Sequence, residues 1–140
     1  MKLQLVTLEG VQLDKEVYEV QLSTESGPIG IYPGHEALVS IAKPGIITVR
    51  YSKSDDDGHL DYFAIGGGVI DIDNDVVQVL VDAADRGEDI VESEAKAALE
   101  KALELKRNAK DSVELEKASA LVDRHQVRLD VAGLRRRKRR

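Results

Sequence analysis

Gly27-Pro28-Ile29-Gly30-Ile31-Tyr32-Pro33-Gly34-His35-Glu36-Ala37-Leu38-Val39-Ser40-Ile41-Ala42-Lys43-Pro44-Gly45 is the stretch whose reading decides the fold class. It contains all three prolines and four of the eleven glycines of the 140-residue chain. Proline fixes φ and removes a donor, whereas glycine opens positive φ. Such punctuation around short apolar runs predicts tight turns between strands, with loop shapes set by the backbone. A shaped loop that presents Tyr32 and His35 is suited to making contacts.

The surrounding sequence continues as β. Val17 to Leu22 alternates, with Tyr18, Val20 and Leu22 on one face. Residues 47–51, 60–65 and 76–81 are also strand-like, and short strands at this spacing predict a sandwich or barrel. Asp55-Asp56-Asp57-Gly58 reads as a hairpin tip and Asp73-Asn74-Asp75 as a second turn. Gly66-Gly67-Gly68 lies within a strand pattern, which predicts a bulge or a close backbone approach. A phosphate cradle would need a helix to follow directly, and a strand follows instead.

The period changes near Arg86-Gly87. Asp89 and Glu92 have capping-box spacing. Ala95, Ala98, Leu99, Ala102, Leu103 and Ala109 then recur at helical intervals. Asp111-Ser112 opens a second helix, with Glu114 placed to reach back to Asp111. Leu115, Ala118, Leu121, Val122, His125, Leu129 and Ala132 continue one face, and Gly133 is the expected stop. The expected fold is therefore α+β: an N-terminal β-sandwich over 1–87, then a two-helix antiparallel hairpin over 88–140 with a basic tail. The facing surfaces are rich in alanine, which buries little area, so the hairpin should detach more easily than the sandwich unfolds.

Composition narrows the function. Cysteine is absent, which excludes disulfides and thiolate chemistry and suits a reducing compartment. The first ten residues lack the pattern of a signal peptide, and no apolar run is long enough to span a membrane. Gly-x-Ser-x-Gly and His-Glu-x-x-His are missing, and the three histidines, His35, His59 and His125, lack ligand spacing. Neither catalytic nor metal residues are expected. Asp55 to Asp57 lack the spaced ligands of a calcium loop and read as a solvated tip. His125 reads as packed or capping. Residues 1–87 carry fifteen acidic and six basic side chains, and residues 88–140 carry eleven and fourteen. Six of those fourteen are Arg135, Arg136, Arg137, Lys138, Arg139 and Arg140, a tip that attracts anionic surfaces.

Two stretches carry a family resemblance: Gly30-Ile31-Tyr32-Pro33-Gly34-His35 with Lys43-Pro44-Gly45, and Ala64 to Ile72 running through Val76 to Asp82. In wording, order and spacing they resemble the epsilon subunit of the F-type ATP synthase. The resemblance implies a non-catalytic subunit at the foot of the central stalk, binding the gamma subunit and the c-subunit ring and coupling proton or sodium flow to synthesis. It implies helices that reach the alpha/beta catalytic hexamer when extended and oppose ATP hydrolysis. The implied location is peripheral, on the cytoplasmic face of a bacterial plasma membrane, with the membrane touched only through partners.

Carried over by residue, Gly30, Ile31, Tyr32, Pro33, Gly34 and His35 match the loop that faces the c ring; the alternative is a loop packed on its own domain. Gly66, Gly67 and Gly68 match a region that packs on gamma. Some members bind ATP between the helices. Here the first-helix pattern is replaced by Ile90-Val91-Glu92-Ser93-Glu94-Ala95, and Glu94 puts an anion where a cation pairs with phosphate. Arg124 and Arg128 match the remaining half of that site, or form an ion-pair face. ATP binding is expected to be weak or absent, so no cofactor is expected. The tail is expected to latch the extended, inhibitory state, with anionic lipid, nucleic acid or no specific role as alternatives. The competing function is a small nucleic-acid-binding module with a basic arm. The acidic body and the lack of a basic-aromatic strand surface argue against it, so no nucleic acid is expected.

Overall fold

The computed structural model describes residues 1–138. These form ten strands, two short 3-10 turns and two helices. The strands are β1 (Lys2–Thr7), β2 (Gly10–Glu16), β3 (Glu19–Thr24), β4 (Gly27–Ile31) and β5 (Leu38–Ala42). They continue with β6 (Gly45–Arg50), β7 (Asp61–Ile65), β8 (Gly68–Asp73), β9 (Val76–Val81) and β10 (Ala84–Arg86). The helices are α1 (Glu92–Arg107) and α2 (Ser112–Lys138).

The strands make two layers. One runs β10-β7-β6-β3, with β4 paired to β3; the other runs β5-β8-β9-β1-β2. They are joined at one corner, where Thr24 pairs with Ala42. Alternation directs Leu3, Leu5, Val20, Leu22, Ile47, Val49, Phe63, Ile70, Ile72, Val77 and Val79 into a common core. Most of these are β-branched or Leu, so the core packs without tryptophan and with one phenylalanine.

The β8–β9 turn is formed by Asn74 (φ 49°) and Asp75 (φ 59°), the two-residue conformation that matches strand twist. β8 and β9 pair without a register shift, so the glycine run contains no bulge. Its close approach is at Gly68, where a Cβ would run into the Leu80 carbonyl and Val81 Cα. At Gly66 and Gly67 a Cβ would meet only ordinary contacts. Those two residues make the β7–β8 connection, with Gly66 N–H donating to the Ala83 carbonyl (2.8 Å).

The helical hairpin lies on the outer face of the first layer. Val131, Ala132 and Ala95 pack with Ala64 and Ile90, flanked by Ile46, Tyr62, Val127 and Leu129. The seat is tight at Gly87, where a Cβ would lie 3.0 Å from Val131 Cγ1 and 3.1 Å from the Tyr62 carbonyl. Three helix-end expectations need correction. Asp89 does not cap α1: residues Gly87–Asp89 close a 3-10 turn, Ile90 is drawn extended into the seat, and Val91 is the uncapped N-cap. Asp111 does cap α2, accepting from Glu114 N–H (2.8 Å), but the Glu114 carboxylate accepts from Lys110 N–H (2.9 Å), not from Asp111. Gly133 does not stop α2, which continues to Lys138 because its last turns find partners at the domain junction.

Gly68→Ala should cost about 3 kcal/mol in urea unfolding, because the obstruction is backbone. Gly67→Ala should stay within about 0.5 kcal/mol. Equal stabilities for the two variants would contradict this account.

Candidate functional site

Three surfaces stand out: the loop after β4, the outer face of the second layer, and the junction beneath the hairpin. In the loop, Tyr32, Pro33 and Gly34 are exposed and His35 is half-buried. Gly34 takes φ 85°, and its N–H donates to Asp75 Oδ1 (2.7 Å), which ties the loop to the β8–β9 turn. His35 N–H donates to the Tyr32 carbonyl, and the His35 ring meets the Glu36 carbonyl at 2.7 Å. Tyr32 folds back over Gly30 and meets Tyr18 edge-on at 5.8 Å. A hydrogen bond to the Glu19 carboxylate raises the pKa of its phenol. The loop is therefore held in one shape at one end of the sandwich.

One expectation about these residues is corrected. Ile31 ends β4 pointing inward, 0% exposed, and is a core residue rather than part of a contact surface. Gly66 and Gly67 lie at the opposite end of β5 and β8 from the loop, beside Pro44. With Asp82, Ala83, Lys117, Leu121 and Arg124 they line a cleft of about 670 Å³ facing the chain's own α2. The glycine run and the Gly30–His35 loop thus form two separate places.

The second surface was not singled out from the sequence. On the outer face of the second layer, Ile41, Val69, Leu80, Val6 and Val11 are successive cross-strand neighbours over β5, β8, β9, β1 and β2. Val11 is 65% exposed, and Val39, one row along, is 70% exposed. Polar side chains continue that second row at Asp71, Gln78 and Gln4, where Gln78 donates to Gln4 (2.9 Å). Outward positions of a half-solvated sheet are normally polar, so an apolar row marks a face made to be covered. The signal was in the near-continuous apolar runs of 38–42, 69–72 and 76–81, which suit strands covered on both faces.

The third surface is the junction. Asp61, almost fully buried, accepts from Tyr51 Oη (2.7 Å) and from Arg86 Nη2 (3.0 Å). Burial, then the Asp61 carboxylate, pushes the Tyr51 phenol well above its ordinary range, so it remains a donor. Above this pair, Asp85 receives Arg124 (3.8 Å) and Arg128 (3.4 Å) from α2. Arg128 also donates to His125 Nδ1 (3.2 Å). Burial, then Arg128 and Arg124, lowers the His125 pKa below its ordinary value. Arg124 and Arg128 therefore act here as ion-pair partners of β10. At the tail, Arg135 donates to the Gly87 and Glu88 carbonyls, and Arg136 donates to the Glu92 carboxylate. Both contacts belong to the docked hairpin. Arg137 donates to the Gly133 carbonyl of its own helix (3.4 Å). Lys138 ends α2, and the expectation for Arg139 and Arg140 lies outside the described residues. Among the described residues, no cluster of His, Asp or Glu is arranged to hold a metal ion, and no helix is long and apolar enough to cross a membrane.

Comparison with known proteins follows the same division. A family model described as ATP synthase, Delta/Epsilon chain, beta-sandwich domain matches residues 1–87. The chain is 35% identical over 136 residues to the ATP synthase epsilon chain of Herpetosiphon aurantiacus, covering 97% of this chain and 96% of that protein. It is 34% identical over 133 residues to the ATP synthase epsilon chain of Bacillus velezensis, covering 95% and 97%. A chain in the structure of Euglena gracilis mitochondrial ATP synthase, comprising OSCP, F1 and c-ring, superposes with a TM-score of 0.74. That match is 25% identical and covers 93% of this chain and 79% of that one. A chain from the central stalk and c-ring of Tetrahymena thermophila mitochondrial ATP synthase shares the fold, with a TM-score of 0.59 at 12% identity over 93% and 94%. By sequence over nearly its whole length, and by its sandwich-plus-hairpin architecture, the chain belongs to the ATP synthase epsilon-chain family.

Proposed function

We propose that this chain is a non-catalytic central-stalk subunit of an ATP synthase, holding the gamma subunit on its open apolar face and the c ring at its end loop. The observation that carries the reading is the unequal treatment of the two outer faces. The chain's own hairpin covers the first layer, while the row Ile41, Val69, Leu80, Val6 and Val11 is left uncovered. Gamma is the partner that fits, because a permanent stalk contact needs a large apolar surface. Tyr32 to His35 form the c-ring contact, and their fixed shape lowers the entropy lost on binding. Anchored through these partners, the subunit sits at the membrane without entering it, on the cytoplasmic side in a bacterium. The coupling ion, proton or sodium, is handled by the ring.

The hairpin is the regulatory part. The buried part of its seat is mostly alanine, with Ile90 and Val131 its largest members and Ile46, Tyr62, Val127 and Leu129 partly buried at the edge. Ile90 and Val131 each contribute at most about 1.5–3 kcal/mol. Such a seat is weak enough to release without unfolding the sandwich. Released, the helices reach the alpha/beta hexamer and oppose hydrolysis. Asp85 occupies Arg124 and Arg128, and Glu94 stands where a phosphate-pairing cation is expected, so ATP binds weakly or not at all.

The direct test uses purified gamma. Ile41→Glu should weaken gamma binding by at least about thirtyfold while urea unfolding is unchanged, since the side chain is half-exposed. Undiminished binding would contradict the assignment of this face. Removal of residues 88–140 should raise ATP hydrolysis by the assembled complex and leave gamma binding intact; unchanged hydrolysis would refute a regulatory hairpin.

Docking should also depend on pH. Burial is the largest cause of the lowered His125 pKa, and it disappears when the hairpin leaves its seat. Arg124 and Arg128 remain neighbours on α2 in either state, whereas Asp85 is lost. The docked pKa is thus below the undocked one. Docking is at full strength above the ordinary imidazole value and weakens as pH falls through it toward the lowered one. Hydrogen exchange in α2 should accelerate between about pH 7.5 and pH 5.5, after correction for intrinsic rates, and His125→Gln should flatten that dependence. An unaltered profile in the variant would contradict the assignment.

A further inference from the structure

α2 outruns its expected stop by five residues, and those residues bring two arginines onto the domain junction. Arg135 Nη1 donates to the Gly87 carbonyl at 2.7 Å and the Glu88 carbonyl at 2.8 Å. Both carbonyls belong to the 3-10 turn that links the sandwich to α1. Arg136 Nη1 reaches both oxygens of Glu92, at 3.0 and 3.2 Å, in the first turn of α1. The end of the second helix therefore holds the beginning of the first, and the hairpin becomes a closed ring. Pulling α1 away from α2 breaks the Arg136–Glu92 contact, and lifting α2 off Gly87 breaks the Arg135 contact there.

We propose that Arg135 and Arg136 are an electrostatic clasp across the junction, which holds the hairpin closed and docked and makes its release sensitive to salt and to competing anionic groups. The regulatory meaning of the clasp rests on the function proposed above; the clasp itself does not. Arginine suits both positions. In each case one terminal nitrogen, Nη1, makes both contacts, and a guanidinium is more weakly hydrated than a lysine ammonium, so it gives up less on leaving water. Glu92 lies in the first turn of α1, where its charge also favours the helix N-terminus, so the pair is placed where each charge already helps. Each contact is partly exposed and individually modest, and the effect comes from two of them closing one ring. Acidic segments that would engage the tail of an extended hairpin must first take these two guanidinium groups from the junction.

The test is hydrogen exchange on the full-length chain, following amides of residues 127–132 in α2, with those of β9 as an internal reference for an intact sandwich. At about 0.1 M salt, Arg135→Ala/Arg136→Ala should exchange about tenfold faster in α2 and unchanged in β9. The lysine pair should fall between it and the native chain. Raising salt to about 1 M shortens the screening length from about 10 Å to about 3 Å. This should accelerate α2 by a larger factor in the native chain than in the alanine pair, which keeps the Asp85 contacts to Arg124 and Arg128. Equal α2 exchange in the native chain and the alanine pair, or an equal salt response, would overturn the clasp. In the assembled complex Glu92→Gln, which loosens the clasp and leaves both arginines in place, should hydrolyse ATP more slowly. Faster α2 exchange with unchanged hydrolysis would uphold the clasp and refute the regulatory reading, so the two claims fail separately.

Discussion

The approach of Val131 to Gly87 governs how the two halves of this chain meet. A side chain at position 87 would press on Val131 Cγ1 and on the Tyr62 carbonyl together. Because Gly87 has none, α2 can lie close over the end of β10, and the neighbouring contacts follow. Ala95 and Ala132 face Ala64 at short range, and Ile90 is drawn extended beneath the helices. Asp85 then meets Arg124 and Arg128, while Arg135 comes within reach of the turn carbonyls. Small residues permit the closeness but bury little apolar area, so polar contacts at the rim carry a large share of the attachment.

The sandwich itself has a different energetic basis. Its core is continuous and aliphatic, and its strands pair along most of their length. A tightly built body with a lightly attached arm is the arrangement expected of a part that must stay in place while another part moves. The outer faces extend that contrast. One is occupied by the arm through Ile46, Tyr62 and Ala64, and the other presents five apolar neighbours in a row to solvent. The end loop is a third kind of surface, fixed by Gly34 and Asp75 and presenting the exposed Tyr32 and Pro33.

Much of the sandwich was legible because its alternation is local. Val20 and Leu22 point inward as expected, the strand at 76–81 has the expected bounds, and Asn74 and Asp75 make the expected turn. Strands β1 and β2 went unread: Leu13 is the only buried side chain of β2, and the alternation of Leu3 and Leu5 was overlooked. The family loop was recognised by its wording, but wording does not reveal direction, and alternation along β4 sends Ile31 into the core. The expected face of α2 was right but too narrow: Ala118 and Ala132 are buried as expected, and Val131, which it did not name, is fully buried beside them. The arginine contacts at the junction were beyond reach, since they join residues more than forty positions apart whose proximity depends on α2 continuing past Gly133.

The absence of cysteine makes one measurement especially clean. Single cysteines in place of Val39, on the open face, and Val113, on the hairpin, should both react freely with a thiol reagent in the isolated chain, as both positions are exposed. On adding gamma, the account predicts strong protection at position 39 and little change at position 113. Protection at 113 with 39 still reactive would contradict it, because the stalk partner would then be meeting the arm and leaving the apolar face in water.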